Sequence, residues 1–260
     1  MSSHKIPTRS EATNSPGDLA PHTVLTDFYS APAARAGFVN QLFDSTAKYY
    51  DRISGILSLG SDKQYRKYAL RRAGLSAGMK MLDVATGTGL VLQAALDLGM
   101  AAEDLTGLDP SAGMLEENRK RRSVKLVQGV GENLPFPDDS FDFISMGYAL
   151  RHVEDLGRLF AEFRRVLKPQ GRILIMEITR PKSKAAFFLM QIYMGKIIPF
   201  LTRIFTRQRE AARLMEYYWA TVADCVPPET ILAALNSAGL KNVERKITGS
   251  VLSDYLATKE

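Results

Sequence analysis

Cysteine and histidine are scarce in this chain of 260 residues, and their scarcity excludes several kinds of protein. Cys225 is the single cysteine, so the chain cannot form an internal disulfide, and a reducing cytoplasm is the expected compartment. The three histidines stand at positions 4, 22 and 152 and form no cluster with the spacing of metal ligands. We therefore expect neither a disulfide-stabilised fold nor a metal centre.

Long uninterrupted apolar runs are also missing. The most apolar stretch, residues 185–205, is interrupted by Gln191, Lys196 and Pro199, which argues against a membrane span. It predicts instead an inserted helical lid, about residues 182–220, over the ligand-binding edge of the fold. Part of the lid is expected only to pack on the core, and the rest to line a pocket or to contact a membrane surface. A peripheral membrane contact and a homodimer both stay open at this stage.

The N-terminal part of the chain has no apolar stretch at all. Its first two dozen residues are rich in Ser, Pro and Thr. This composition predicts a disordered or flexible extension, residues 1–35, rather than a signal peptide. Glu11 and Asp18 argue against a transit peptide.

Basic residues exceed acidic ones, 34 to 28, which gives a formal charge of +6. The basic clusters have no interleaved aromatic residues, and two of them fall near predicted helix C-termini, where cations complement the helix dipole. Nucleic acid is therefore not an expected partner.

Short apolar runs alternate with helical patterns over residues 36–260, which predicts one domain. A helical cap is expected over residues 36–75. The fold class is α/β, a Rossmann-like, doubly wound and mostly parallel seven-stranded sheet with helices on both faces. The strands are predicted at residues 80–85, 104–108, 124–128, 141–146, 173–177, 243–247 and 250–255.

The first predicted strand ends in a loop that is typical of a nucleoside site. Gly87 and Gly89 permit backbone angles that a Cβ forbids, and the next helix points its partly positive N-terminus at the loop. Asp109 ends the second strand, where its carboxylate can accept hydrogen bonds from the two hydroxyls of a ribose. Leu92 stands where a dinucleotide fingerprint has its third glycine, and Asp83 before the turn favours a cationic ligand. These features predict S-adenosylmethionine (SAM), which carries a sulfonium and an ammonium.

Two longer motifs carry a family resemblance. Tyr50 and Asp51 with residues 57–58 form the first, and residues 165–177 form the second; residues 134–142 lie between them. With these motifs the chain resembles the class I SAM-dependent methyltransferases, and within them the ubiquinone/menaquinone biosynthesis C-methyltransferase family, from about residue 43 to 238. The predicted cofactor-binding residues are Asp83, Thr86, Gly87, Thr88, Gly89, Asp109, Pro110, Met114, Gly131, Glu132 and Gly147.

The chain departs from the family pattern where the acceptor is expected. Asp62 and Tyr65 stand where the family usually has a His and a Trp, and His152 replaces an Asn. Val130 occupies a position that is commonly Asp or Asn beside the adenine. The resemblance therefore implies a retained cofactor site and an altered acceptor site.

Catalytic groups are expected just after the fourth strand, at the carboxyl edge of the sheet. Tyr148, Arg151 and His152 are the candidates, with His152 as a proton acceptor and Arg151 as a group that stabilises an oxyanion. The alternatives are a structural Arg151 paired with a carboxylate, and a His152 that hydrogen-bonds to backbone at a helix start. The predicted acceptor pocket consists of Tyr50, Asp62, Tyr65, Tyr193, Tyr217, Tyr218 and Trp219. The alternative for Tyr217, Tyr218 and Trp219 is that they pack the lid on the domain.

The expected acceptor is a lipophilic or aromatic small molecule, with C-methylation of a quinol precursor as the leading reaction. O- or C-methylation of a specialised aromatic or polyketide metabolite is an alternative. A third hypothesis is a catalytically silent SAM-binding protein that docks in a biosynthetic complex.

Overall fold

The computed structural model describes residues 19–260, and a seven-stranded sheet forms its centre. The strand order is β3-β2-β1-β4-β5-β7-β6; the first five strands are parallel, and β7 runs antiparallel to both β5 and β6. This confirms the predicted fold class. The strands are β1 Met81–Val84, β2 Leu105–Asp109, β3 Lys125–Gln128, β4 Phe141–Gly147, β5 Leu167–Ile178, β6 Lys241–Thr248 and β7 Leu252–Thr258.

Helices cover both faces of the sheet because its central strands are apolar on both sides. Neighbouring residues of β4 show this: Phe143 belongs to one core and Ile144 to the other. The first core lies under the cap and the lid, and the second lies under α5 and α9. The helices are α1 Arg35–Ser58, α2 Asp62–Arg72, α3 Leu90–Asp97, α4 Ala112–Arg119, α5 Leu156–Val166, α6 Lys184–Ile192, α7 Ile198–Thr206, α8 Arg209–Asp224 and α9 Pro228–Ser237.

Helix α5 and the strand after it show how local sequence positions the sheet. Asp155 caps α5, because its Oδ1 accepts from the Arg158 N–H at 2.7 Å. The predicted strand 173–177 is too short, since β5 already begins at Leu167. A register shift against β4 accommodates Pro169 and Gly171 within the strand.

The described residues of the predicted N-terminal extension, 19–35, contact the rest of the domain. The Leu19 N–H donates to Asp155 Oδ2 at 2.8 Å, and the Val226 N–H donates to the Pro21 carbonyl at 2.8 Å. Tyr29 is buried in the first core. These contacts join residues 19–35 to the domain, while residues 1–18 of the predicted extension lie outside the described part of the chain.

The lid contains one long helix, Lys184–Thr206, in which a π-helical turn, Tyr193–Ile197, joins α6 to α7. The residues that were expected to interrupt it do not end it. Pro199 sits in the first turn of α7, where its missing N–H is tolerated after the wider π turn. By length and composition alone, this is the one helix in residues 19–260 that is long and apolar enough to cross a membrane.

Candidate active site

The loop after β1 opens the site at the carboxyl edge of the sheet. Ala85, Gly87 and Gly89 all have positive φ angles, of 54°, 55° and 85°. A Cβ on Gly87 would meet nothing within 4 Å, whereas a Cβ on Gly89 would collide with the Asn118 side chain. Gly89 is therefore needed for the close approach of α4, and Gly87 leaves space on the side of the site.

Asp109 connects this loop to the end of β2. Its Oδ2 accepts from the Gly87 N–H at 2.7 Å, and its Oδ1 accepts from the Ser111 N–H at 2.9 Å. Burial raises the pKa of the Asp109 carboxyl from 3.8 to about 6. A carboxylate offers about four lone-pair sites, so each oxygen can accept a further hydrogen bond from a ligand.

A first cavity of about 230 Å³ lies against Asp109, between α1 and the ends of β1, β2 and β4. Asn40 and Phe43 of α1 form one wall, and Leu108 and Val130 are among its apolar lining residues. Seven of the eleven predicted cofactor residues line it: Gly87, Asp109, Pro110, Met114, Gly131, Glu132 and Gly147.

The other four predicted cofactor residues, Asp83, Thr86, Thr88 and Gly89, are not among the residues that line this cavity. Asp83 Oδ2 accepts from Thr86 Oγ1 at 2.7 Å and Oδ1 from Ser145 Oγ at 2.5 Å, and burial raises the pKa of Asp83 to about 6. Thr88 Oγ1 donates to Asp51 of α1. The hydrogen bonds of Asp83, Thr86 and Thr88 hold the loop in place, and the side chains of these residues lie behind the cavity lining.

The lining of the first cavity fits SAM. The Asn40 Oδ1 atom is buried and has no hydrogen-bond partner among the described residues, so an acceptor is ready for an ammonium or a hydroxyl. Asp109 supplies the carboxylate for a ribose, and Leu108, Met114 and Val130 supply apolar surface for a base. The aromatic rings of Phe43, Tyr50 and Tyr148 suit a cation such as a sulfonium.

A second, larger cavity of about 490 Å³ lies next to the first. Tyr50 and Tyr148 line both cavities, so the two share a wall. Burial raises the pKa of both phenols well above 10, which keeps their hydroxyls protonated. Tyr148 stands in the left-handed region with φ 59°, and its carbonyl accepts from the Tyr218 hydroxyl at 3.3 Å.

The second cavity is mainly apolar and contains one ion pair. Asp62 Oδ2 accepts from Arg66 Nε at 2.8 Å, and the Arg66 guanidinium lies 4.8 Å from the centre of the Tyr148 ring. The apolar walls include the lid residues Met190 and Met194. Of the predicted acceptor-pocket residues, five line this cavity: Tyr50, Asp62, Tyr65, Tyr193 and Tyr218.

Tyr217 and Trp219, which were predicted for the acceptor pocket, line neither cavity. Tyr217 is fully buried among Phe28, Phe38 and His152. Trp219 packs on Phe187 with ring centres 5.7 Å apart. Tyr217 therefore packs the lid on the rest of the domain, which is the alternative that the sequence left open, whereas Trp219 packs within the lid.

Arg151, which was predicted to contact the acceptor, also lines neither cavity. Its side chain is fully buried and forms an ion pair with Glu177, the single acidic residue of β5. Arg151 Nε donates to Thr221 Oγ1 at 3.2 Å, and the guanidinium lies 4.6 Å from the centre of the Tyr218 ring. It is the carboxylate-paired structural arginine.

His152 faces the first cavity rather than the second. Its ring stacks on Tyr217 at 5.4 Å and meets the edge of Phe43 at 5.2 Å. Both ring nitrogens are buried without a partner in residues 19–260, so the ring makes no hydrogen bond to backbone. Burial lowers the pKa of His152 well below 6.5, with Arg151 adding to the shift, and the neutral ring does not reach the expected acceptor.

Several lining residues escaped the sequence analysis. Arg66 follows Asp62 by four residues on α2, a spacing typical of helical ion pairs, and this signal was available. Asn40 and Phe43 had no comparable signal, because only the packing of α1 over the sheet edge brings them to the first cavity.

Known proteins share this architecture and much of the sequence. The model of the ubiE/COQ5 methyltransferase family matches residues 31–259. A demethylmenaquinone methyltransferase of Staphylococcus aureus (strain MRSA252) is 32% identical over 229 residues, which cover 85% of this chain and 93% of that protein.

Solved structures show the same fold. A SAM-dependent methyltransferase from Thermotoga maritima aligns with a TM-score of 0.61 and 18% identity, over 85% of this chain and 99% of that one. Haemonchus contortus phosphoethanolamine N-methyltransferase 2 in complex with SAM aligns with a TM-score of 0.53 and 16% identity, over 75% of this chain and 52% of that one. The chain thus belongs to the ubiE/COQ5 methyltransferase family and is a SAM-dependent methyltransferase.

Proposed function

We propose that the protein methylates a ring carbon of a lipophilic hydroquinone, with SAM in the first cavity and the acceptor in the second. The observation that carries this proposal is the shared wall: Tyr50 and Tyr148 line both cavities, so the cavities meet at these two side chains. A small group can then pass from one ligand to the other without crossing solvent. The names of the Staphylococcus aureus relatives, which are demethylmenaquinone methyltransferases, support a quinol.

The residues of the first cavity bind and orient the cofactor. Asp109 would accept hydrogen bonds from the ribose hydroxyls, and the Asn40 side-chain oxygen would accept one more from the ligand. Bound SAM supplies an electrophilic methyl group on a positively charged sulfur. Tyr50 and Tyr148 present aromatic faces to that charge at the boundary between the cavities. Fixing both ligands in register supplies on the order of 7–11 kcal/mol of the barrier reduction.

The ion pair in the second cavity activates the acceptor. Asp62 uses its Oδ2 atom for Arg66, so Oδ1 is placed to take a proton from a phenolic hydroxyl. The Arg66 guanidinium stabilises the oxyanion that this transfer leaves. Negative charge on the oxygen is shared with the adjacent ring carbon. This carbon would bond to the methyl group as the bond from methyl to sulfur breaks and the neutral sulfide leaves, and it would then lose its own proton to restore the aromatic ring. A positioned base of this kind typically contributes about 10²–10⁴-fold in rate.

A second candidate is methylation of a specialised aromatic metabolite, on oxygen or carbon. Asp62 and Tyr65 line the acceptor cavity at the positions where the family usually has a His and a Trp. The acceptor end of the site therefore differs in chemistry from the family pattern, and an acceptor other than a respiratory quinol follows naturally from this difference.

The experiment supplies trideuteromethyl SAM to the purified protein with chemically reduced naphthoquinones, benzoquinones and simple phenols. A product that gains a CD₃ group, located on a ring carbon by NMR, supports the proposal. Label on an oxygen, or only on a non-quinone phenol, favours the second candidate. SAM binding without any labelled product overturns both and leaves a SAM-binding protein without turnover.

A further inference from the structure

The outer surface of the lid helix, Lys184–Thr206, has the opposite pattern from an ordinary surface helix. The positions turned inward repeat every four residues and include two buried threonines, Thr202 and Thr206. Large apolar side chains point outward instead. Of the eleven large hydrophobic side chains exposed in residues 19–260, six lie on this helix: Phe188, Leu189, Ile197, Phe200, Ile204 and Phe205.

This exposure is large for each side chain. Leu189 is 66% exposed, Phe200 63% and Phe188 60%. Isolated exposed hydrophobic residues are common on soluble proteins, but a contiguous group of this kind marks an interaction site. We define the outer face of the lid as these six side chains together with the basic residues around them.

The charge of the same segment is strongly one-sided. Residues 180–209 contain seven of the 34 basic residues of the chain and none of its 28 acidic residues. The rest of the chain therefore has 27 basic and 28 acidic residues, so the whole net positive charge resides here. All seven side chains are exposed, and none forms an ion pair with a residue in the described range: Arg180, Lys182, Lys184, Lys196, Arg203, Arg207 and Arg209.

We propose that the outer face of the lid docks on an anionic lipid bilayer, with the helix lying in the plane of the membrane interface. Apolar side chains between unpaired cations match such an interface, because its acyl chains are apolar and its headgroups are negatively charged. Lys196 and Arg203 can place their stems along the apolar layer while their charges reach the headgroups. The inward side of the helix stays on the protein, since Met190, Met194 and Ile198 belong to the first core.

Charge complementarity favours a bilayer over a second copy of the chain. A symmetric dimer through this face would set seven cations against the same seven cations, with no acidic residue in the segment to offset them. A lipid headgroup layer supplies the missing negative charge. The helix does not cross the membrane in this arrangement, because its inner side remains packed on the domain.

The docking surface also adjoins the second cavity. Ala186, Leu189 and Tyr193 of the lid line this cavity, and Leu189 is at the same time largely exposed on the outer face. The cavity therefore extends to the surface that would touch lipid, at Leu189. If the acceptor is lipophilic, as the proposed function holds, it enters from the bilayer without crossing water; this consequence rests on the proposed function, whereas the docking does not.

The test is vesicle co-sedimentation of the full chain, without acceptor. Vesicles of phosphatidylcholine alone are compared with vesicles that contain phosphatidylglycerol and phosphatidylcholine in a 1:3 ratio. We expect at least tenfold tighter binding to the anionic vesicles and a loss of this preference at about 1 M salt, where the Debye length is roughly 3 Å. Equal binding to both vesicles, or no binding, overturns the proposal.

Matched variants separate the outer face from general effects. The test variant is Lys196→Glu/Arg203→Glu, and the control is Arg71→Glu/Lys125→Glu. Each lowers the net charge by 4, from +6 to +2, and all four residues are exposed. Because each basic side chain at an anionic surface contributes about fivefold in affinity, the first variant should bind at least about 25-fold more weakly and the control far less so. Equal losses in both variants contradict a specific face.

A second pair of variants tests the apolar side chains of the outer face. Ile204 is 52% exposed on the lid and Ile247 is 55% exposed on β6, so Ile204→Asp and Ile247→Asp are equivalent except in position. We expect about tenfold weaker vesicle binding for Ile204→Asp only, with SAM affinity unchanged in both. A wild-type dimer in light scattering that Ile204→Asp converts to a monomer, without vesicle binding by either, would assign the face to self-association and overturn the proposal.

Discussion

Replacing Asp109 by Asn should separate SAM binding from folding. The substitution keeps the shape of the side chain but exchanges one acceptor oxygen for an NH₂ group. Asp109 accepts from two backbone donors, the N–H groups of Gly87 and Ser111. An asparagine side chain at this position can satisfy one of them, and it offers the ribose fewer acceptor sites and no charge.

The structure sets the sizes of the two effects. Hydrogen bonds to a charged group contribute about 1.5–3 kcal/mol each, so loss of one ribose contact should weaken SAM binding about 10- to 150-fold. Stability should change less. Burial already raises the pKa of Asp109 from 3.8 to about 6, so ionisation of this carboxyl lowers the free energy of unfolding of the ligand-free protein by about 3 kcal/mol. A neutral amide removes much of this destabilisation.

The assay is isothermal titration calorimetry with SAM, paired with urea unfolding. Asp142→Asn is the control, because Asp142 also accepts from a backbone N–H, that of Lys80, but lies at the opposite edge of the sheet. Its pKa is lowered in the fold, so Asp142→Asn should lose stability and keep its SAM affinity. Unchanged SAM affinity in Asp109→Asn would refute the assignment of Asp109 to the ribose.

Three further predictions follow from the same geometry. Asp62→Asn should lower kcat about 10²–10⁴-fold and leave SAM affinity unchanged. The control Asp97→Asn, on the outer side of α3, should leave kcat unchanged. Equal turnover of Asp62→Asn and wild type in a CD₃-transfer assay removes Asp62 as the base. Glu177→Gln leaves the buried Arg151 without its ionised partner and should lower the free energy of unfolding by about 3–5 kcal/mol. Glu116→Gln, in the exposed pair with Lys120, should lower it by less than about 1 kcal/mol. A stable Glu177→Gln protein with lost activity would contradict a structural role. Because the pKa of Asp109 is raised to about 6, SAM affinity should increase as the pH rises from 5 to 7 and the carboxyl ionises. The free energy of unfolding should fall as the pH rises from about 4 to 6, since Asp109 keeps its proton to a higher pH in the native state than in the unfolded chain. Calorimetry and urea unfolding across this range check both signs, and a SAM affinity independent of pH speaks against an ionised Asp109 in binding.

The sheet and the loop after β1 were predictable because their signals are local. Apolar runs of strand length, Gly87 and Gly89 in the turn, and Asp109 at the end of the next run all lie within thirty residues of one another. The seven predicted strands all occur in the structure, although β5 is longer than its apolar part. Backbone hydrogen bonds extend it beyond the residues that periodicity marks.

The orientation of side chains at the site was less predictable. Tyr217 and Tyr218 are neighbours on α8, yet only Tyr218 reaches the acceptor cavity, because successive helical residues point about 100° apart. Arg151 has its partner on another strand, and no local pattern indicates that Glu177 draws it into the core. Asp83 was expected to touch the ligand, but in the structure it accepts from the hydroxyls of Thr86 and Ser145 and does not line the first cavity.

The lid illustrates a different difficulty. Composition predicted its position but not its continuity, since Pro199 reads as a helix breaker in isolation. The π turn at Tyr193–Ile197 resolves this conflict in three dimensions. Only then do the apolar and basic side chains of the outer face lie along one helix.

A crystal structure with S-adenosylhomocysteine and a reduced quinone tests the central claim most directly, because it locates both ligands at once. The account predicts the adenosine against Asp109 in the first cavity, the quinol ring beside Asp62 and Arg66 in the second, and the sulfur directed at a ring carbon between Tyr50 and Tyr148. A quinol bound outside the second cavity, or a sulfur that faces away from these two tyrosines, would contradict it.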